Sequence, residues 1–224
     1  MRPGERLNVL GPLGNGFTLP EQGELWLVGG GIGSFPLYAL ARAGLEQGLK
    51  VRLFWGGETG QFLESAGLAA WAKLNIPLHL STLDGSLGEK GLVTEALLSY
   101  LDKEGLGNAL GVPYESGNAP VLARGSGDAA PAGGGAGAAS KRPPEEVWVA
   151  ACGPRGMMQA VAELGIALRL PVEVSLEERM GCGVGACLGC SVATRDKRGR
   201  VKNQKVCQDG PVFRGEEVVW SGGR

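Results

Sequence analysis

One histidine, His79, occurs in 224 residues, so a metal site built from several imidazoles cannot form within one chain. An excess of either charge is also missing. Lys and Arg number 22 against 23 Asp and Glu, a net charge of -1, which gives no general attraction to nucleic acid or to an anionic membrane surface. No window approaches the roughly 20 consecutive apolar residues of a membrane span. The opening MRPGERLNVL lacks the basic-then-apolar pattern of a secretory signal. These absences predict a cytoplasmic protein with neither nucleic acid nor membrane as partner. What remains is 43% hydrophobic residues, enough for a packed core, and an excess of glycine: 40 residues, against an average of about 7%.

Cysteine is scarce over most of the chain and dense at its end. Of Cys152, Cys182, Cys187, Cys190 and Cys207, four fall in the C-terminal stretch. An odd number without a secretion signal argues against a disulfide framework. The spacing C-x4-C-x2-C-x16-C matches in its first three members the plant-type loop that holds a [2Fe-2S] cluster, with a fourth cysteine further on. GCGVGACLGC puts Gly183, Gly185 and Gly189 between the thiols. They give bare backbone that can turn tightly and bring N-H groups toward the sulfurs. Zinc is the competing reading, but four-cysteine zinc sites usually pair their ligands as two short knuckles, and Cys207 stands alone.

Upstream, apolar runs of strand length alternate with segments of helical period. Strands are expected at 24–29, 50–55, 77–82 and 146–151. Helices are expected at 34–48, from about Thr59 to Leu74, at 91–102 and at 154–169. That alternation predicts an α/β fold, a parallel sheet with helices on both faces. From Pro171 the pattern changes to short strand-like pieces, PVEVSLE, SVATR and EEVVW, read as a small domain organised by its metal. Between 105 and 145 lies a Gly, Ala, Pro and Ser-rich stretch with few large apolar groups, expected to be a flexible insertion.

Three strand exits carry glycine. Gly29-Gly30-Gly31-Ile32-Gly33 follows the first strand and opens a helix, where a dinucleotide pyrophosphate would meet free N-H groups. It is not the G-x-G-x-x-G fingerprint, because Ser34 stands three residues after Gly31, and a plain tight turn stays open as a reading. Thr82-Leu83-Asp84-Gly85-Ser86 and Cys152-Gly153-Pro154 leave two further strands. Ligands of open parallel sheets bind at that edge. Taken alone, Cys152 reads as a buried small hydrophobe.

The segments VGGGIGSFPLYALA, TLDGSLGEKGLVTEAL, ACGPRGMMQAV, SLEERMGCGVGACLGCSV and KVCQDGPVF, in this order, resemble the electron-transfer subunit of type B (NAD-dependent) dihydroorotate dehydrogenase. The resemblance implies a variant of the ferredoxin-NADP reductase fold, with a parallel-sheet nucleotide-binding domain at 20–170 and a [2Fe-2S] domain at 171–224. It implies Cys182, Cys187, Cys190 and Cys207 as cluster ligands. Gly30, Gly31 and Gly33 would border the NAD pyrophosphate, Asp84 and Gly85 would join the cofactor edge, and Cys152, Gly153 and Pro154 would lie near the nicotinamide. It implies FAD, because NADH gives up electrons in pairs and the cluster takes them singly, and it implies no catalytic acid, base or nucleophile. The implied partner is an FMN-containing catalytic subunit, in a heterotetramer. GERLNVLGPLGNGF resembles the last strand and exit of the family's flavin-binding barrel, so residues 1–19 are expected to be its remnant, and the flavin-stacking motif has no match. Two alternatives follow. One is a related subunit of another NAD(P)H oxidoreductase, several of which carry Asp where Cys182 stands. The other is a truncated, non-enzymatic electron relay.

Overall fold

The computed structural model describes residue 2 and residues 4–106 and 146–220. The insertion expected at about 105–145 therefore lies outside the described residues from 107 onward.

The described residues build nine strands: β1 Glu24–Gly30, β2 Lys50–Gly57, β3 Leu78–Thr82, β4 Glu89–Lys90, β5 Val147–Cys152, β6 Val172–Ser175, β7 Ser191–Arg195, β8 Val201–Lys205 and β9 Val212–Arg214. Its helices are α1 Ser34–Glu46, α2 Gly60–Ser65, α3 Leu68–Ala72, α4 Val93–Lys103, α5 Arg155–Leu168 and α6 Val206–Asp209. Seven strands form one sheet in the order β4-β3-β2-β1-β5-β6-β9. Every pairing in it is parallel except that of β9 with β6. The expected α/β fold with a parallel sheet is the fold observed.

β1 reads ELWLVGG because the central strand of such a sheet is buried on both faces. Leu25 and Leu27 point into one core with Leu37, Leu40 and Ala41 of α1 and Trp71 of α3. Trp26 and Val28 point into the other with Leu97 and Leu101 of α4 and Met158 and Val161 of α5. The two faces of one strand thus serve two cores.

The structure departs from the sequence pattern at three places. The helix expected from Thr59 to Leu74 is two short helices, because Gly67 takes φ 99° between them. The boundary expected at 170/171 falls inside the sheet. β6 continues the parallel order, and β9 returns antiparallel beside it, so the cysteine segment is inserted between the last two strands of the sheet. The described residues of 1–19 form no strand. They run as a strap whose polar groups go to neighbours other than a barrel: Asn15 Nδ2 donates to the Val212 carbonyl (3.1 Å), its Oδ1 accepts from the Val212 N-H (3.0 Å), and the Thr18 N-H and hydroxyl both reach the Glu173 carboxylate (2.7 Å each).

At the edge of the sheet away from the cofactor loops, Arg52 pairs with Glu24 (3.0 Å), donates to His79 Nε2 (3.1 Å) and lies 4.6 Å from the Tyr100 ring centroid. His79 stacks on Phe54 at 4.7 Å. Burial, then Arg52, holds the imidazole below its ordinary value near 6.5, while Glu89 opposes them. The unfolded chain therefore binds a proton at mildly acidic pH that the folded chain refuses, and stability falls as pH drops below about 6.5 toward the folded value. Urea denaturation at stepped pH is expected to show this slope. His79→Phe, which keeps a stacking ring and removes the proton site, is expected to flatten it.

Candidate functional site: a dinucleotide edge and a cysteine loop

The sheet order reverses between β1 and β5, and their exits meet there. Gly30 and Gly31 border two cavities, of about 710 Å³ and 630 Å³, which also share Phe62 and Pro154. The first adds Gly33, Cys152, Gly153, Arg155 and Ser175 to Glu178; the second adds Gly56 to Glu58, Leu83 and Leu92 to Thr94. Ligands of open α/β sheets bind at this reversal, and each volume falls in the range of small-molecule and cofactor sites.

Close approach of backbone makes the reversal possible. A Cβ on Gly33 would lie 2.2 Å from the Cys152 carbonyl oxygen, and one on Gly153 would lie 2.8 Å from the Gly30 nitrogen. Only bare backbone lets the two exits touch. Trp55, fully buried near the end of β2, donates its indole N-H to the Gly31 carbonyl (2.9 Å) and turns that oxygen toward the protein. The Cys152 thiol stands across from Ser175 in the β5–β6 register, and burial pushes its pKa up, so it remains a neutral thiol.

The structure thus brings Gly30, Gly31, Gly33, Cys152, Gly153 and Pro154 together. Asp84 and Gly85 line neither cavity; their neighbour Leu83 does. The Asp84 carboxylate accepts from the Ser86 N-H (2.9 Å) and hydroxyl (2.6 Å), bonds that hold it below the usual carboxylate range, and Ser86 Oγ accepts from the Gly60 N-H (2.8 Å). That turn shapes the edge from outside. Trp55, Glu58, Phe62, Ser175 and Glu177 were not expected there from sequence. They stand at or beyond the exits of β2 and β6; the β2 exit carries Gly56, Gly57 and Gly60, the signal that could have found it, whereas β6 is followed by Leu176, Glu177, Glu178 and Arg179 with no glycine.

In the second candidate centre, Gly183 (φ 72°) and Gly185 (φ 78°) let the loop after β6 double back on itself. The Cys187 N-H donates to Cys182 Sγ at 3.4 Å, and the Gly189 N-H to Cys187 Sγ at 3.5 Å. The first of these contacts leads the effects that lower the Cys182 thiol to about 6. The Cys207 N-H lowers Cys190 most, whereas the Cys190 side chain raises Cys207. Cys190 and Cys207 are buried, Cys182 and Cys187 half-buried.

The N-H to sulfur contacts thus join Cys182, Cys187 and Gly189 within the loop, while Cys190 and Cys207 lie buried in one core. A tetrahedral zinc needs its ligands around one point. A diiron cluster needs two thiolates at each of two irons, with amide N-H groups near the sulfurs. The donor set, four cysteines with backbone N-H groups at their sulfurs, fits the diiron group.

Gly33→Ala is expected to destabilise the protein by about 1–3 kcal/mol, since backbone rather than a movable side chain meets the added methyl. Gly156→Ala, in α5 with open space around it, is expected to be neutral or slightly stabilising. Thermal unfolding of the two variants side by side checks the pair.

Residues 177–219 match the family model of the iron-sulfur cluster binding domain of dihydroorotate dehydrogenase B. The chain is similar to the dihydroorotate dehydrogenase B (NAD(+)) electron transfer subunit of Geobacillus kaustophilus, 37% identical over 97% of this chain and 67% of the relative. It is also similar to that of Desulforamulus reducens, 31% identical over 98% and 68%. Among solved structures, an NADH-dependent reduced ferredoxin-NADP oxidoreductase matches with a TM-score of 0.63 and 29% identity, over 96% of this chain and 60% of that one. The chain thus spans about two thirds of these curated relatives and less of the solved chain. No described helix is long and apolar enough to cross a membrane. The fold, the cysteine loop and these likenesses agree, and the chain belongs to the family of dihydroorotate dehydrogenase B electron transfer subunits.

Proposed function

We propose that this chain passes electrons between the FMN of a dihydroorotate dehydrogenase catalytic subunit and NAD, in pyrimidine biosynthesis and in the cytoplasm. The observation that carries the reading is the pairing of four cysteines in one chain with a dinucleotide-sized edge at the reversal of a parallel sheet. Cys182, Cys187, Cys190 and Cys207 would hold the cluster. When bound, the [2Fe-2S] cluster carries single electrons, FAD converts between singles and pairs, and NAD takes or gives the hydride.

The chain's own residues bind and orient. The exits of β1 and β5 offer backbone to a pyrophosphate at the start of α1. Cys152, held neutral, presents a thiol with no charge to the larger cavity. Ser175, Glu177 and Glu178 line that cavity together with Cys152. The N-H groups of Cys187 and Gly189 stand ready to offset negative charge on sulfur. No side chain is required as acid, base or nucleophile. The Cys152 thiol argues for positioning, because its raised pKa leaves little thiolate at neutral pH.

Cys187→Ser tests the assignment. The variant is expected to lose the visible and electron-paramagnetic signature of the cluster and, with the catalytic subunit added, dihydroorotate-dependent reduction of NAD. A full cluster signature in this variant would contradict the ligand set. An intact signature in the wild type with no NAD reduction beside an active catalytic subunit would contradict the proposed partner.

A further inference from the structure

Residues 195–205 concentrate positive charge in a chain that is otherwise acidic. They hold Arg195, Lys197, Arg198, Arg200, Lys202 and Lys205 against Asp196 alone. That is +5 within eleven residues of a chain whose total is -1, which leaves -6 on the remainder. The fold gathers these residues on one antiparallel hairpin, β7–β8, that pairs with no strand of the large sheet. The Asp196 carboxylate spends itself within the turn, accepting from the Arg198 N-H (2.8 Å), the Arg200 N-H (3.0 Å) and the Arg200 guanidinium (2.9 Å). Lys197, Arg198 and Lys202 are exposed and form no ion pair among the described residues.

The hairpin is rooted at the cysteine centre. β7 begins one residue after Cys190, β8 ends two residues before Cys207, and the Val206 N-H donates to the Cys190 carbonyl (3.0 Å). Lys205 Nζ donates to the Gly185 carbonyl in the cysteine loop. Five residues at about 3.3 Å each extend the tip about 17 Å from that root. The cysteine loop itself exposes Met180, Val184 and Leu188 (50%, 59% and 75%). An apolar loop with a charged arm beside it has the composition of an interface core and its rim.

We propose that the hairpin 195–205 is an electrostatic docking strip for an acidic face of the catalytic subunit, steering it onto the cysteine loop. The proposal rests on the electron transfer reading above and adds to it the surface and the sign of charge. Nucleic acid is the poorer occupant: the strip holds no aromatic residue to stack on bases, and the -6 of the remaining chain repels a polyanion. Rim charges act mainly on association and on its salt dependence, whereas the apolar contact sets dissociation.

The test is the kinetics of binding of the cluster-loaded chain to the catalytic subunit at about 20 and about 200 mM salt, across which the Debye length shortens about threefold. The wild type is expected to associate about tenfold or more slowly at the higher salt. The triple variant Lys197→Glu, Arg198→Glu, Lys202→Glu is expected to lose about tenfold or more in association rate at low salt. Its salt dependence should flatten or reverse, its dissociation rate should stay within about threefold, and its cluster spectrum should be unchanged. The milder Lys197→Gln, Lys202→Gln pair is expected to fall between, and serves if the charge reversal disturbs cluster loading.

Unchanged association and salt slope in the variants would overturn the proposal. So would a salt-dependent self-association of this chain that the variants abolish, which assigns the strip to a second copy. So would loss of binding to a duplex DNA with binding to the catalytic subunit retained. Failure of the wild type itself to bind the catalytic subunit at either salt refutes the electron transfer reading first, and the docking strip with it.

Discussion

The structure depends on where the cysteine segment is spliced. It leaves the large sheet at the end of β6 and re-enters it at β9, and β6 and β9 pair with each other. Cys190 and Cys207 are buried in the same core as Val174, Met158 and Phe213. A metal centre placed there is tied to the sheet at both ends, and its occupancy is coupled to the packing of the nucleotide domain's last strands. A cluster on a separate appendage would have no such coupling. The N-terminal strap adds to it, because Asn15 and Thr18 bond to residues on β9 and β6.

Much of this was legible in the residues. β1 is apolar at every position from Leu25 to Val28 because both faces of it are covered, and α1, α4 and α5 carry one-sided apolar spacing because one face of each is covered. Such patterns report burial directly. β8, Val201–Lys205, carried no pattern, since it is exposed on both faces and holds one apolar residue. β9 is three residues long and sits in a stretch whose cysteine draws the eye first. EEVVW was expected as a strand and makes a single bridge, Thr194 with Val218. Its carbonyls instead serve as acceptors: Val219 for Arg155 (3.0 Å) and Glu217 for the Arg195 N-H.

The candidate site divides the same way. Glycine at the exits of β1 and β5 and the spacing of the cysteines signalled both centres, because each depends on what the backbone alone can do. The roles of Trp55 and Ser175 depend on which strands become neighbours, and sheet order is not written in any local pattern. Asp84 shows the converse. It was expected at the cofactor edge, but here its acceptor oxygen is taken by Ser86 two residues on, which sets the shape of the turn.

The two centres meet the needs of electron transfer by different means. The dinucleotide edge is built from contacts that admit no added atom, which fixes distances. The cysteine loop is built from positive-φ glycines and N-H to sulfur contacts, which prepare for negative charge. The central claim is that Cys182, Cys187, Cys190 and Cys207 hold one [2Fe-2S] cluster. Iron, zinc and acid-labile sulfide analysis of anaerobically purified protein tests it most directly. The account predicts about two irons and two sulfides per chain, with no stoichiometric zinc. One zinc per chain in a colourless protein would contradict it.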